Sequence, residues 1–216
     1  MKMSVDRKVF EKFHGDFFAG CIACRGLNNK GSSAESEEML RDIEEYVHLN
    51  FNADTLKTNN LVSSWKAATA HYGEQFQHYH TALEKMLKTV LDRKRVPAEN
   101  KLVNLINFFS LKHLVPLTAL DLKNVGTKLV FTLSDHNDLV LRNDKAVLVR
   151  KFADEKPQHH VTEKTSDALI FVEGVPPLHH EHLDNILEEV AGLVKVFCGG
   201  TTKRVILTKH KLSAEI

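Results

Sequence analysis

An α+β fold follows from a change of period along the chain. Up to about residue 111, and again near the end, apolar residues recur at the three-to-four-residue spacing of helices. Between Lys128 and Val149, and again from Ala168, they alternate or cluster in short runs bounded by turn residues, the pattern of strands. The 216 residues are 43% hydrophobic, enough for a real core. No repeat and no low-complexity linker divides them, so a single compact domain is expected.

The elements follow in order. Phe17 to Cys24 reads as a buried strand, broken by Arg25-Gly26 and the turn-rich stretch Asn28 to Ser33. Ser33 or Ser36 can cap a helix reaching Val47, acidic in its first turns, with Met39, Leu40, Ile43, Tyr46 and Val47 as its inner face. A second helix spans about Leu61 to Tyr72, with Trp65 and Ala68 in its apolar stripe and Gly73 as its stop. A third, near Thr81 to Arg93, turns Leu83, Met86, Leu87, Val90 and Leu91 inward and ends in Arg93-Lys94-Arg95. Short strands are expected at Lys128 to Leu133, Leu139 to Leu141 and Ala146 to Val149, joined by turns at Ser134 to Asn137 and Arg142 to Asp144. Ala168 to Glu173 is a further strand, His180 to Val196 the last helix, and Val205 to Leu207 a candidate edge strand before a polar tail.

Pro97 to Val125 stands apart. Its helical stretch mixes Leu102, Val103, Leu105, Ile106, Phe108, Phe109 and Leu111 with Asn100, Asn104 and Asn107. Asparagine is a mediocre helix former and costly to bury without partners. The amides therefore line a pocket or form a buried polar network, or Asn104 and Asn107 simply face water.

Composition removes several function classes. Lys plus Arg number 29 against 28 Asp plus Glu, so no bulk field draws the whole protein to nucleic acid, and an RNA contact must be a local patch. DNA is not an expected partner. No apolar run approaches the roughly 20 residues of a membrane span, and the charged start MKMSVDRKVFEKF lacks a signal-peptide core. Three cysteines make no disulfide framework and fit a reducing cytoplasm. Cys21 and Cys24, three apart on a strand, point to opposite faces and cannot share a metal. His179, His180 and His182, with His159 and His160, lack an acidic or cysteine partner at a ligand spacing, so no metal and no cofactor is expected.

Several motifs together carry a resemblance. Pro97, Asn100, Val103, Asn107, Pro116, Leu117, Ala119, Asp121 and Leu122, with the later Val161-Thr162-Glu163-Lys164-Thr165, are similar to the B3/B4 domain of the phenylalanyl-tRNA synthetase β-subunit. Ala23-x-Arg25-Gly26, Ser64 to Ala67 and Val172 to Pro177 resemble free-standing B3/B4 proteins of about this length. The likeness runs from about Val9 to Phe197. It implies a mixed sheet flanked by helices, with a strand and helices over 9–95, the pocket helix, strands and last helix over 96–197, and a tail over 198–216.

The resemblance also implies a function, the hydrolysis in trans of mischarged aminoacyl-tRNA. An activated ester requires positioned water and a polar pocket more than a strong nucleophile. Asn107, Thr118 and Glu173 are the candidate catalytic residues, and Asn100, Asn104 and Ser110 the candidate substrate contacts. Arg25 and the run Arg93, Lys94 and Arg95 are candidate tRNA contacts. Three departures bear on the chemistry. Ile106 stands where the family has threonine, Thr118 where it has a titratable histidine, and Glu155 to His160 where it has paired glycines. The alternatives are a non-catalytic tRNA-binding or interaction module of the same fold, or a small-molecule sensor using the same pocket.

Overall fold

The computed structural model describes residues 1–31, 33–69, 81–151 and 159–216, with the backbone alone for 65–69. Two sheets, not one, lie at its centre. The mixed sheet orders β6 (Val147–Arg150), β5 (Leu139–Arg142), β4 (Lys128–Leu133), β1 (Lys2–Val5) and β9 (Ser213–Glu215). Only the β1–β4 pair in it is parallel. The second sheet, antiparallel throughout, orders β3 (Thr118–Asp121), β7 (Ala168–Gly174), β2 (Phe18–Arg25) and β8 (Thr201–Leu207). β2, from the early part of the chain, thus lies between two strands from its last third.

The period-2 alternation of β2 and β7 explains why both read as continuous apolar runs. Ala19, Cys21, Leu169 and Phe171 face the mixed sheet, where they meet Met3, Leu129 and Phe131. Phe18, Ile22, Cys24, Ala168, Ile170 and Val172 face the opposite way, toward α6 (Lys101–His113) and α7 (His180–Cys198). Both faces are dry. Gly20 lets α7 approach β2 closely, since a Cβ there would lie 2.9 Å from Leu187 Cδ1 and 3.0 Å from Leu183 Cδ2.

A third apolar layer lies on the far side of α6. There α2 (Ala34–Asn50), α3 (Ala53–Thr58), α4 (Asn60–Thr69) and α5 (Ala82–Leu91) contribute Leu40, Ile43, Val47, Leu56, Val62, Leu83, Leu87 and Val90, against Leu111 of α6. α6 therefore has apolar residues on two sides, which is why its hydrophobic stripe is broad. Ser33 caps α2 through its side-chain oxygen, which accepts from the Ser36 amide.

Several expectations change. Tyr46 is 55% exposed rather than part of the inner face of α2. Asn100 caps α6 and is not within it. Residues 198–216 are not merely a tail, since they supply β8 and β9. The charged start of the chain forms β1 and α1 (Arg7–Lys12), where Met3 and Val9 are fully buried. Tyr72 and Gly73 lie outside the described residues, as do 155–158. Among the described residues no helix is long and apolar enough to cross a membrane.

The seam between α6 and α7 is polar at one end. Glu189 accepts from Lys112 Nζ at 2.5 Å and lies 3.3 Å from His113 Nε2, while the His113 ring stacks on Phe109 and meets the edge of His182. Burial holds the His113 pKa below its ordinary value, with Lys112 and His182 adding and Glu189 opposing. The hydrogen bond from Lys112 keeps Glu189 ionised below the usual carboxylate range. The unfolded chain therefore takes up the His113 proton at higher pH than the folded one. Its stability contribution is full above the ordinary histidine value of about 6.5 and is lost as pH falls through the lower folded value. Melting temperatures measured between about pH 7.5 and about pH 5 should fall more steeply for the native protein than for His113→Gln. Parallel slopes would show that His113 does not carry this dependence.

Candidate functional site

One buried amide joins three segments at the N-terminus of α6. Asn29, 1% exposed, donates through Nδ2 to Asn100 Oδ1 at 2.9 Å and to the Thr162 carbonyl at 2.8 Å, and its Oδ1 accepts from the Leu102 amide at 2.9 Å. Asn100 Oδ1 also accepts from the Val103 amide at 3.1 Å, the helix cap. Next to it, Thr165 Oγ1 accepts from the Thr162 amide at 2.9 Å and donates to Asp121 Oδ2 at 2.5 Å. Asn100, Asp121, Thr162 and Thr165 are thus stitched into one junction where α6 starts, β3 ends and β7 is about to begin.

The other candidate substrate contacts also have internal partners. Asn104 is fully buried; its Nδ2 donates to Ser36 Oγ on α2 at 3.1 Å, and its Oδ1 accepts from the Glu99 amide at 3.1 Å. Ser110 Oγ, also buried, accepts from the Leu117 amide at 3.2 Å. A buried polar network, not a wetted face, is the structure of Asn100 and Asn104.

The three candidate catalytic residues do not lie on one surface. Thr118 pairs with Phe171 in the β3–β7 register, so Thr118 and Glu173 project from the sheet face that carries Leu169, Phe171 and Leu120 toward the mixed sheet. α6 packs on the opposite face through Leu102, Leu105, Ile106 and Phe109. Asn107, half-buried on that helix, is separated from Thr118 and Glu173 by the sheet.

Glu173 is already partnered. Lys151 Nζ lies 2.6 Å from Glu173 Oε2, with the two side chains 6% and 5% exposed. Two charges this far out of water persist because each compensates the other. The cavity beside Glu173, enclosed by Ser64, Pro116, Gly174 and Leu178 among others, holds about 10 Å³, room for about one water. An aminoacyl group does not fit there.

The cationic candidates are exposed. Arg25 ends β2 and lies 3.4 Å from Asp167. Arg93, Lys94 and Arg95 follow α5 and precede the Val96 to Asn100 approach to α6, with Arg93 in the left-handed region at φ 57°. Lys30, Lys101 and Lys164 lie on the same segments that the Asn29 amide joins.

The cysteines are core residues. Cys21 faces the mixed sheet and Cys24 the helices, as strand alternation requires. Burial pushes the Cys24 thiol up to about 12 and the Cys21 thiol higher, with the Glu173 carboxylate adding to the latter. Among the described residues no cluster of three His, Cys, Asp or Glu side chains is arranged to hold a metal.

No protein-family model matches the chain, and no curated protein matches it. The likeness to the B3/B4 domain therefore stands on the sequence motifs alone. Asn29 and Lys151 escaped sequence reasoning. Asn29 sits in an Asn-Asn turn that reads as solvent, and no local pattern marks a lysine at the end of a strand for burial.

Two stability measurements test these partners. Asn29→Ala leaves the Leu102 amide, Asn100 Oδ1 and the Thr162 carbonyl short of a partner and should cost about 1–3 kcal/mol in chemical denaturation. Lys151→Met or Glu173→Leu alone strands a buried charge and should cost about 3–5 kcal/mol, whereas the double variant should recover most of that loss. Additive losses would mean that the two charges are independently solvated.

Proposed function

We propose that the protein binds tRNA as a non-catalytic module of the B3/B4 type. The observation that carries this reading is the Asn29–Asn100–Thr162 junction, which holds the segments bearing Arg25, Lys30, Lys101 and Lys164 together at the α6 N-terminus. The chain entering that helix brings Arg93, Lys94 and Arg95. A local group of cations on a near-neutral protein suits phosphate contact without a bulk field. The same segments contain most of the motif that resembles the synthetase domain.

The geometry at Glu173 favours binding over turnover. Lys151 holds the carboxylate that would otherwise pair with a substrate ammonium, and Asn107 lies across the sheet from Thr118. Hydrolysis of mischarged aminoacyl-tRNA in trans is the second reading. It is favoured by the Asn107 amide, half-buried and without a hydrogen bond among the described residues, which is free to orient water.

Fluorescence anisotropy with labelled tRNA separates these outcomes. Binding should be measurable at about 50 mM salt and weaken about tenfold or more by about 200 mM. Arg93→Glu with Arg95→Glu should weaken it further. Absence of binding at low salt would overturn the proposal, and deacylation of any mischarged tRNA, lost in Asn107→Ala, would replace it with the editing reading.

A further inference from the structure

A groove of about 420 Å³ runs along one face of α5, between that helix and α3, with Val62 and Ser63 of α4 also lining it. Its apolar lining is aliphatic throughout. Leu56, Val62 and Leu87 are buried parts of the outer helical layer, and the exposed Ala53 and half-buried Leu91 extend them toward solvent. From Glu84 to the C-cap Asp92, the stretch of α5 that lines it covers about 12 Å, just over two helical turns. The volume falls within the range of small-molecule sites, about 300–1,000 Å³.

The polar part of the lining is biased toward cations. Lys57 enters from α3, and Lys85 and Lys88, neighbours at i and i+3, from α5; all three are exposed. Lys57 contacts Asp54 at 3.6 Å with the two side chains 73% and 93% exposed, a pair worth little. Of the two carboxylates in the lining, Glu84 is turned back into the helix cap, where its Oε2 accepts from the Thr81 amide at 2.8 Å and from Thr81 Oγ1 at 3.2 Å. Asp92 lies at the C-cap of α5, past the last floor residue Leu91. An aliphatic floor with an ammonium rim matches a flexible hydrocarbon chain that ends in an anion. No aromatic ring stands among the described lining residues to hold a planar ligand.

We infer that this groove binds a medium-chain aliphatic carboxylate. Its chain lies on Leu56, Val62, Leu87 and Leu91, and its carboxylate sits among Lys57, Lys85 and Lys88. Charge complementarity selects this occupant over a cation of the same chain length, and burial of methylenes supplies most of the affinity. The site shares no residue with the cations proposed to contact tRNA, so it stands or falls independently of that reading.

Isothermal titration calorimetry of the full chain with hexanoate, octanoate and decanoate tests it. Affinity should rise about twofold to fourfold per added methylene, the upper figure being that for full burial. Decylammonium, with the same chain and the opposite charge, should bind more weakly than decanoate. Lys85→Gln with Lys88→Gln should weaken decanoate about fivefold while strengthening decylammonium or leaving it unchanged, a split that partial unfolding cannot produce. Ala53→Phe adds bulk to the groove from an exposed position and should weaken both ligands. Equal binding of decanoate and decylammonium, no saturable decanoate binding, or a response to chain length that Ala53→Phe leaves unchanged would overturn the inference. So would a mass that doubles with concentration in sedimentation equilibrium for the native chain and not for Ala53→Phe, since the groove would then hold a second copy of the chain.

Discussion

The Asn29 side chain holds apart and together three pieces of chain that have no covalent reason to meet. A backbone carbonyl, a capping amide and a helix N-terminal N–H are all satisfied by one group with two donors and two acceptor sites. Because α6 lies between the antiparallel sheet and the outer helices, its starting point sets where both apolar layers begin. An apolar side chain at position 29 would leave these groups without the partners they now share. The amide is therefore a register device, fixing the rotation and height of α6 against β7.

β7 is the complementary constraint. All seven of its residues are buried, and its neighbours on either side are β3 and β2. A strand so placed can accept a carboxylate only with its charge compensated, and Lys151 at the end of β6 does this from the mixed sheet. The ion pair thus links the two sheets at one end, as Phe131 and Phe171 link them by an edge-to-face contact in the middle. Replacement of such a pair by apolar side chains of similar volume is often neutral or stabilising, so its presence is weak ground for a stability role and stronger ground for specifying how the sheets align.

What was legible in the sequence is what depends on period. β2, β4, β5, β7, α5, α6 and α7, and α2 apart from Tyr46, have apolar spacing that matches their observed faces, and the opposed directions of Cys21 and Cys24 follow from strand alternation alone. The elements that escaped have short or polar sequences. β1 reads Lys-Met-Ser-Val and β9 reads Ser-Ala-Glu, and they are strands because they pair with each other and with β4, not because of their own composition. β3 was hidden behind Pro116 within a stretch that reads as a turn. The division into two sheets was equally illegible, since strand order is a property of long-range pairing.

At the candidate site the limit is different. Residue types suited to hydrolysis were identifiable, but their convergence depends on which face of a strand each occupies relative to the helix above it. Thr118 and Glu173 share parity across the β3–β7 register, and that parity points them away from α6. A one-residue slip of β3 would turn Thr118, and one of β7 would turn Glu173, toward the α6 side, so the chemistry turns on register and not on composition. Lys151 then decides the state of the carboxylate. To pair with Glu173, a substrate ammonium would have to displace an amine already within 2.6 Å and already desolvated, gaining one ion pair while breaking an equivalent one. Such an exchange offers little net free energy for positioning an ester, whereas in the proposed tRNA contact the exposed cations around α6 would give up only weak partners, the solvent-exposed Arg25–Asp167 contact and the Lys101 Nζ hydrogen bond to the Asn28 carbonyl.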